Sequence, residues 1–92
     1  MVYRLLLMNR KKRINYKLKK IIKNFEFFIE DNSYQHKGHN NFDGKKETHI
    51  LLKLKPIKNI KYDRLSIHRM VNKALEDEFM SGLHSLEIKI IN

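Results

Sequence analysis

The sequence predicts an α+β fold whose elements follow one another in the order αββαβ. Two segments repeat apolar residues every three or four positions, as one face of a helix does, and three shorter segments alternate apolar with polar residues, as strands do. The strand patterns come second, third and last along the chain. We therefore predict a three-stranded mixed sheet with both helices packed on one of its faces.

The first helix is predicted over residues 9–24. Its apolar residues fall on one stripe at i, i+4, i+7, i+8 and i+11, and lysine and arginine fill the other faces. We expect the stripe to cover the sheet, although a basic amphipathic helix could also lie on an anionic membrane. The stripe consists of Ile14, Leu18, Ile21, Ile22 and Phe25.

Two strands are predicted on either side of a polar loop. The first is the segment FEFFIEDNS from Phe25, which ends in turn-forming residues, and the second is THILLKLK, which stops at Pro56. If the loop is a long hairpin, the two strands are antiparallel. In the second strand, Ile50, Leu52 and Leu54 are predicted to face the core, and His49, Leu51, Lys53 and Lys55 to face solvent.

A second helix and a third strand complete the predicted domain. The helix starts near Ser66, with Ser66 or Asp63 as its cap, and Gly82 stands where a left-handed residue would end it. HSLEIKII then forms a strand that we expect to run parallel to its neighbour after the helical crossover. The apolar stripe of the helix contains Ile67, Met70, Val71, Ala74, Leu75 and Phe79.

The length of 92 residues allows one domain with one modest core. We predict that residues 9–92 form this domain and that residues 1–8 are a flexible basic N-terminus. No apolar run approaches the roughly 18 residues that a membrane span requires, so we expect a soluble protein.

Positive charge is concentrated at the start of the chain. The formal net charge is +10, and residues 1–25 carry nine basic side chains and no acidic one. Such a field favours phosphate backbones, anionic membranes or acidic protein surfaces, although AT-rich coding alone could also enrich lysine. The candidate nucleic-acid-binding residues are Arg10, Lys11, Lys12, Arg13 and Lys17.

No motif of a known catalytic type occurs in the sequence. There is no Walker loop, GxGxxG, GxSxG or HExxH, and no cysteine is present. The lack of cysteine excludes disulfides, thiolate zinc sites, a cysteine nucleophile and an iron–sulfur site ligated by this chain's own thiolates. We therefore predict that the protein is not an enzyme.

Five histidines remain as candidate functional residues. His36 and His39 form an H-x-x-H pair that could converge on a metal in a turn, or serve only to keep the loop polar. His84 opens the last strand, either packed and donating an N–H to a backbone carbonyl or acting as a ligand. His49 falls on a predicted solvated face, and His68 in the first turn of the second helix suits capping or local hydrogen bonding.

Two runs of the sequence resemble the BolA family. They are NSYQHKGHNNFDGKKETHILLKL and LSIHRMVNKALEDEFMSGLHSLEIKI, which carry motifs similar to the family's S-Y-x-H loop, E-T-H strand entry, H-R-M-V helix start and G-L-H final strand. The resemblance covers about residues 26–91. It implies the αββαβ fold of the family, which is similar to the class II KH fold.

The resemblance also implies a function as a non-enzymatic adaptor that binds a monothiol glutaredoxin. In the family, the two proteins can share a [2Fe–2S] cluster together with glutathione, in iron–sulfur cluster assembly, trafficking or iron signalling. The implied ligands here are His84 and His36, with His39 as an alternative loop ligand, and His68 and Arg69 of the H-R-M-V motif are implied to contact the partner. No cofactor is expected in the isolated protein.

An alternative function is that of a transcriptional regulator that binds DNA through the basic N-terminal region. The family's glycine before L-S is missing from IKNIKYDRLS, and the chain has no G-x-x-G loop of the kind KH domains use for nucleic acid. We expect a cytoplasmic protein, with mitochondria as the alternative compartment, and a weak homodimer is a further possibility.

Overall fold

The computed structural model of the protein describes residues 8–33 and 48–91. The predicted N-terminal segment other than Met8, and the loop with His36 and His39, lie outside the described residues. The elements are α1 (Arg10–Ile21), β1 (Phe25–Asp31), β2 (His49–Pro56), α2 (Arg64–Ala74), α3 (Glu76–Met80) and β3 (Ser85–Ile90).

The three strands form one mixed sheet in the order β1-β2-β3. β1 pairs with β2 in antiparallel fashion and β2 pairs with β3 in parallel fashion, as predicted. One core-facing row crosses the sheet through Phe27, Leu54 and Ile90. The helices contribute to the same core, which consists of Ile14, Leu18, Ile22, Phe25, Ile50, Leu52, Leu54, Ile67, Val71, Leu75, Leu83 and Ile90.

Helix α1 is shorter than predicted and ends at Ile21. Asn9 caps its start, because the Asn9 side chain accepts a hydrogen bond from the Lys12 N–H at 2.9 Å. After its end, Asn24 takes a positive φ of 66° and its carbonyl accepts the Ile57 N–H at 2.9 Å. This turn directs the chain into β1, and it leaves Ile21, predicted for the apolar stripe, 40% exposed.

The second predicted helix is divided at Leu75 into α2 and α3. The Asp63 side chain caps α2 by accepting the Ser66 N–H, whereas Leu75 leaves helical backbone values with φ −103° and ψ 14°. The Leu75 N–H still donates to the Val71 carbonyl and the Phe79 N–H to the Leu75 carbonyl, both at 3.1 Å, so the buried stripe continues across this break. Two residues of the predicted stripe, Met70 and Phe79, lie at its edge, where they are 38% and 37% exposed.

The sheet face opposite the helices carries mainly charged residues. Lys53 reaches Glu30 across the β1–β2 pair at 3.3 Å. Leu51 was predicted to be solvated on this face but is buried, because β2 is the central strand and gives it a neighbour on each side, Glu30 and Glu87. In the described part of the chain, no helix has the length and hydropathy of a transmembrane segment.

Candidate functional site

Two histidines meet where β2 and β3 begin. The parallel register places His49 opposite Ser85, and the Thr48 carbonyl accepts the main-chain N–H groups of His84 at 2.8 Å and Ser85 at 3.1 Å. The imidazole rings of His49 and His84 lie edge to face, with their centroids 5.9 Å apart. Two candidate nitrogen ligands from distant parts of the sequence therefore share one surface.

The His84 side chain is exposed rather than packed. The hydrogen bond to a backbone carbonyl that the sequence suggested for this residue is made by its main-chain N–H. His49 is half-buried, not simply solvated, and its Nδ1 lies 3.0 Å from Thr48 Oγ1.

A hydrogen-bonded cluster joins the residues that flank the 34–47 segment, beside these histidines. Ser33 Oγ accepts the main-chain N–H groups of Thr48 at 2.8 Å and His49 at 3.1 Å, and it donates to Asp31 Oδ1 at 2.6 Å. Ser33 and Thr48 are buried. The cluster holds the two ends of the 34–47 segment together next to His49. His36 and His39 belong to that segment, outside the described residues.

The same cluster defines a protonation pattern for His49. An ionised Asp31 can only accept, so the Ser33 hydroxyl hydrogen points to it, and the Thr48 hydroxyl in turn donates to Ser33 Oγ at 3.2 Å. If Thr48 Oγ1 gives its hydrogen to Ser33 in this way, it accepts from the N–H of His49 Nδ1, 3.0 Å away. In that tautomer Nε2 carries no proton, which is the form of a ring nitrogen that ligation by a neutral imidazole requires.

Three of the basic residues of α1 converge on Glu78, a residue that no sequence pattern had singled out. Arg10 Nε, Arg13 Nε and Lys17 Nζ lie 3.0, 2.9 and 2.7 Å from its carboxylate oxygens. Three of the five candidate nucleic-acid-binding residues are therefore held in intramolecular ion pairs. The other two, Lys11 and Lys12, are exposed.

Glu78 is buried, and its ionisation depends on these cations. Burial raises the pKa of a carboxyl group, but the hydrogen bonds from Arg13, Lys17 and Arg10 outweigh burial and lower the pKa of Glu78 to about 2. The carboxylate is therefore charged at neutral pH. One signal was present in the sequence: Glu78 falls at i+11 from Ile67, on the apolar stripe of the second predicted helix.

The Glu78 cluster also holds the turn that leads to His84. Arg10 Nη2 donates to the Ser81 carbonyl at 2.9 Å, and the Leu83 N–H donates to the Glu78 carbonyl at 2.9 Å. Gly82 between them has a φ of +117°, and Leu83 is buried in the core. The segment before His84 is consequently fixed by a salt bridge, a backbone turn and an apolar contact.

His68 and Arg69 lie in α2, in the helical layer, whereas the alternation along β2 puts His49 on the opposite face of the sheet. His68 is half-buried and Arg69 is exposed. The His68 carbonyl accepts a hydrogen bond from Asn72 Nδ2 at 2.9 Å. The structure therefore brings His84 together with His49 and places His68 and Arg69 in the helical layer.

Comparison with known sequences identifies the family and several relatives. The BolA family (BolA-like protein) matches residues 18–92. Protein BOLA1, chloroplastic, of Arabidopsis thaliana is 38% identical over 82 residues, which cover 87% of this chain and 51% of that protein. SufE-like protein 1, chloroplastic/mitochondrial, of the same plant is 38% identical over 80 residues, 83% of this chain but 22% of that protein.

A third relative is closer to the chain in length. The UV-induced protein uvi31 of Schizosaccharomyces pombe is 33% identical over 84 residues, which cover 88% of this chain and 82% of that protein. Against the two plant proteins, by contrast, the chain spans only about half and about a fifth of the relative's length.

Solved structures agree with the sequence matches. The BolA domain of SufE1 from Arabidopsis thaliana has a TM-score of 0.70 and 37% identity, and BolA1 from the same plant has a TM-score of 0.69 and 33% identity. Each match covers 91% of this chain and 92% of the other. The order of the elements, with the helices α2 and α3 between β2 and β3, the mixed sheet and the family match over residues 18–92 together establish that this chain belongs to the BolA-like protein family.

Proposed function

We propose that this BolA-like protein is a non-enzymatic adaptor that binds a monothiol glutaredoxin and supplies histidine ligands to a shared [2Fe–2S] cluster. The proposed role lies in cluster assembly, trafficking or iron signalling. The observation that carries the proposal is the exposed His84 beside His49, at the closed base of the loop that contains His36 and His39.

The donor set suits a shared cluster better than a site made by this chain alone. The chain offers imidazoles and no thiolates, so a partner must supply the cysteine and glutathione sulfurs. Neutral imidazole in place of thiolate raises the reduction potential of such a cluster and makes ligation sensitive to protonation. Both properties suit a protein that passes a cluster on or senses its presence.

His84 is the proposed ligand from β3, and a loop histidine is the proposed second ligand. His36 follows the anchored Ser33 by three residues, which span at most about 11 Å, whereas His39 follows it by six, which span at most about 21 Å. Both tethers are long enough to reach from Ser33 to the surface of His84, and the match of His36 to the family's S-Y-x-H motif supports it as the ligand, with His39 as the alternative. His49 is a competitor for the same position, because its ring already contacts that of His84.

The test combines this protein with a monothiol glutaredoxin, glutathione, iron and sulfide. Visible absorption and circular dichroism would be compared with those of the glutaredoxin alone. We expect a new spectrum that His84→Ala abolishes and His36→Ala alters. His39→Ala and His49→Ala test whether His39, or His49 of β2, is the second ligand in place of His36. Titration calorimetry of the apo proteins would show whether each variant still forms the heterodimer.

The results separate the parts of the proposal. A spectrum unchanged by His84→Ala and by all three other substitutions would refute histidine ligation by this chain. A failure to form any heterodimer would refute the adaptor function itself. His68→Ala and Arg69→Ala should weaken the heterodimer without changing the spectrum of the fully formed complex, since these residues are proposed to contact the partner and not the cluster.

Nucleic-acid binding remains the alternative proposal, and the α1 geometry gives it little support. Glu78 neutralises part of the charge of Arg10, Arg13 and Lys17, and these three side chains are held against the domain by its carboxylate. A DNA duplex added to the glutaredoxin titration provides the discriminating measurement. If the duplex competes with the glutaredoxin at low salt and this competition weakens steeply as the salt concentration rises, the DNA-binding alternative is supported.

A further inference from the structure

The end of the sheet remote from His84 carries an apolar groove that the proposed function does not use. In β2, His49 pairs near His84, whereas Pro56 at the other end pairs with Phe25. Seven residue steps separate these ends, or about 23 Å at the usual rise of a strand. We call the depression at the Phe25 end the distal groove; its apolar lining is formed by Ile21, Ile22, Phe25, Ile60, Ile67 and Met70.

The distal groove has a buried floor and an exposed apolar edge. Ile22, Phe25 and Ile67 belong to the core and are fixed in place. Ile21 and Met70 stand at the edge, where each is more than a third exposed. The cavity has a volume of about 290 Å³, enough for one or two large apolar side chains of a ligand.

A second depression extends the apolar surface along the chain after β2. It has a volume of about 450 Å³ and is lined by residues 56–60 together with Tyr62. Ile60 and Tyr62 line both depressions, and Ile57 beside them is 54% exposed. The two depressions therefore adjoin each other at Ile60 and Tyr62, and together they offer more apolar surface than a single side chain would cover.

The edges of this surface are positively charged. Lys23 and Lys61 line the distal groove and Lys58 lines the second depression, all three exposed. Within the ranges that the structure describes, no carboxylate pairs with these lysines. Asp63 is the acidic residue of the lining, and its carboxylate is committed to the cap of α2 through Ser66 N and Oγ at 3.1 and 2.7 Å.

We propose that the distal groove binds an acidic peptide segment of a partner protein through large apolar side chains. Carboxylates would lie against the lysines while aliphatic or aromatic side chains fill the apolar lining. A sugar–phosphate backbone would satisfy the lysines but leave the isoleucines and Met70 uncovered, so the lining favours a peptide over nucleic acid. A second copy of the chain is disfavoured by the net charge of +10.

The position of the groove gives the proposal its functional meaning. A cluster at His84 and a peptide in the distal groove would lie at opposite ends of the β2 strand. The proposed partner contacts His68 and Arg69 adjoin the groove residues Ile67 and Met70 in α2, so both ligands bind at once only where these contacts leave the groove lining uncovered. An adaptor of this form could hold a second protein beside the first. The inference does not depend on cluster ligation, since none of its residues belongs to the histidine site.

The test uses the full chain and a fluorescein-labelled peptide rich in Glu and Asp with interspersed Leu and Phe. Matched peptides replace Leu and Phe by Ser, or Glu and Asp by Gln. We expect fluorescence anisotropy to show binding of the first peptide and at least about tenfold weaker binding of each matched peptide. Amide NMR shifts should map to the groove lining and leave Ser85 and its neighbours in β3 unchanged.

Substitutions in the protein provide the second arm of the test. Met70→Glu, and the pair Lys23→Glu with Lys61→Glu, should each weaken binding by about tenfold or more. Met80→Glu, at a methionine that is 85% exposed, and Lys12→Glu are matched controls that should leave it unchanged. Equal binding by Met70→Glu and Met80→Glu would overturn the proposal.

Other occupants give distinct results, and each overturns the proposal as stated. Single-stranded DNA could displace the peptide, bind more tightly than the peptide and show the same sensitivity to Met70→Glu. That result would make the surface a nucleic-acid site. Self-association that Met70→Glu abolishes in sedimentation experiments would make it a homodimer interface. Peptide binding that appears only after residues 1–7 are removed would make that segment the occupant.

Discussion

Arg10 Nε donates to Glu78 Oε1 at 3.0 Å, a contact between residues 68 positions apart in sequence. Arg10 is itself buried, so this pair is shielded from water on both sides. With Arg13 and Lys17, it binds α1 to the short helix α3. Basic residues of α1 that the sequence suggested as nucleic-acid contacts therefore bind this helix to the rest of the domain.

The first prediction concerns the stability that Glu78 provides. Glu78→Gln removes the negative charge and leaves three cations facing a neutral amide, so we expect the free energy of unfolding at pH 7 to fall by about 3 kcal/mol. Urea denaturation followed by circular dichroism measures the change. Glu87→Gln is the control, because the Glu87 side chain is 61% exposed and its loss should cost less than about 0.5 kcal/mol.

A milder variant keeps this prediction measurable if Glu78→Gln fails to fold. Lys17→Met retains an apolar stem of similar length and removes one of the three cations, so we expect a loss of about 1 kcal/mol. If Glu78→Gln or Lys17→Met lowers the free energy of unfolding no more than Glu87→Gln does, the cluster contributes nothing to stability.

The second prediction is a pH dependence of stability that originates at Glu78. Its pKa is lowered from 4.5 to about 2, so the folded state favours the carboxylate. The contribution of Glu78 is complete above pH 4.5 and is lost as the pH falls from 4.5 to 2. We expect the difference in unfolding free energy between the natural protein and Lys17→Met or Glu78→Gln to shrink over this interval, by about 3 kcal/mol for Glu78→Gln.

Urea titrations at successive pH values would measure this difference. Glu87→Gln again provides the reference, since it should run parallel to the natural protein through the same interval. A constant difference between the natural protein and Glu78→Gln from pH 4.5 to 2 would contradict the assignment of the pH dependence to Glu78.

The strands could be predicted from sequence because each presents a simple alternation. In β2, Ile50, Leu52 and Leu54 alternate with more polar neighbours, and the predicted core face is the observed one. The exception, Leu51, is buried by its place in the centre of the sheet, which alternation does not reveal. The break at Leu75 also escaped prediction, because the apolar residues at positions 67, 70, 71, 74, 75 and 79 fit one continuous helical period.

The candidate site was only partly predictable for a different reason. Sequence motifs pointed to His84, but its contact with His49 depends on the parallel register of β2 and β3, which no local pattern encodes. The Glu78 cluster could have been suspected from an acidic residue on an apolar stripe and from the spacing of Arg10, Arg13 and Lys17 on one side of α1. Each of these signals becomes specific only when α1 and α3 are known to be adjacent.

The third prediction concerns the hydrogen bonds that close the loop. Ser33→Ala removes the acceptor for the buried N–H groups of Thr48 and His49, so we expect a loss of about 2 kcal/mol. Hydrogen exchange should speed up at these two amides more than in the rest of β2. Ser85→Ala is the control, because Ser85 is exposed and uses its main chain to reach Thr48. Uniform acceleration along β2 would argue against a local role for Ser33.

The fourth prediction concerns the protonation of His49. The hydrogen-bond chain through Ser33 and Thr48 places the proton on Nδ1, so nitrogen NMR at a pH where the ring is neutral should show Nε2 unprotonated. Thr48→Val removes the acceptor for Nδ1–H and should shift the population toward the Nε2–H form. His84 is the internal control, since its ring lies outside this chain of bonds. A proton on Nε2 of the neutral His49 ring in the natural protein would contradict the assignment of the proton to Nδ1.

The last prediction concerns the backbone of Gly82, two residues before His84. Its φ of +117° is a conformation that L side chains rarely adopt, so Gly82→Ala should reduce the free energy of unfolding by about 1–3 kcal/mol. An added Cβ would meet only the Arg10 guanidinium at 3.7 and 3.9 Å, which is ordinary contact, so the cost is backbone strain and not crowding. The reciprocal change, Asn24→Gly, relieves a positive φ of 66° and should not destabilise the protein. Chemical denaturation of both variants measures these effects, and an unchanged Gly82→Ala would mean that the turn before His84 adopts another conformation in solution.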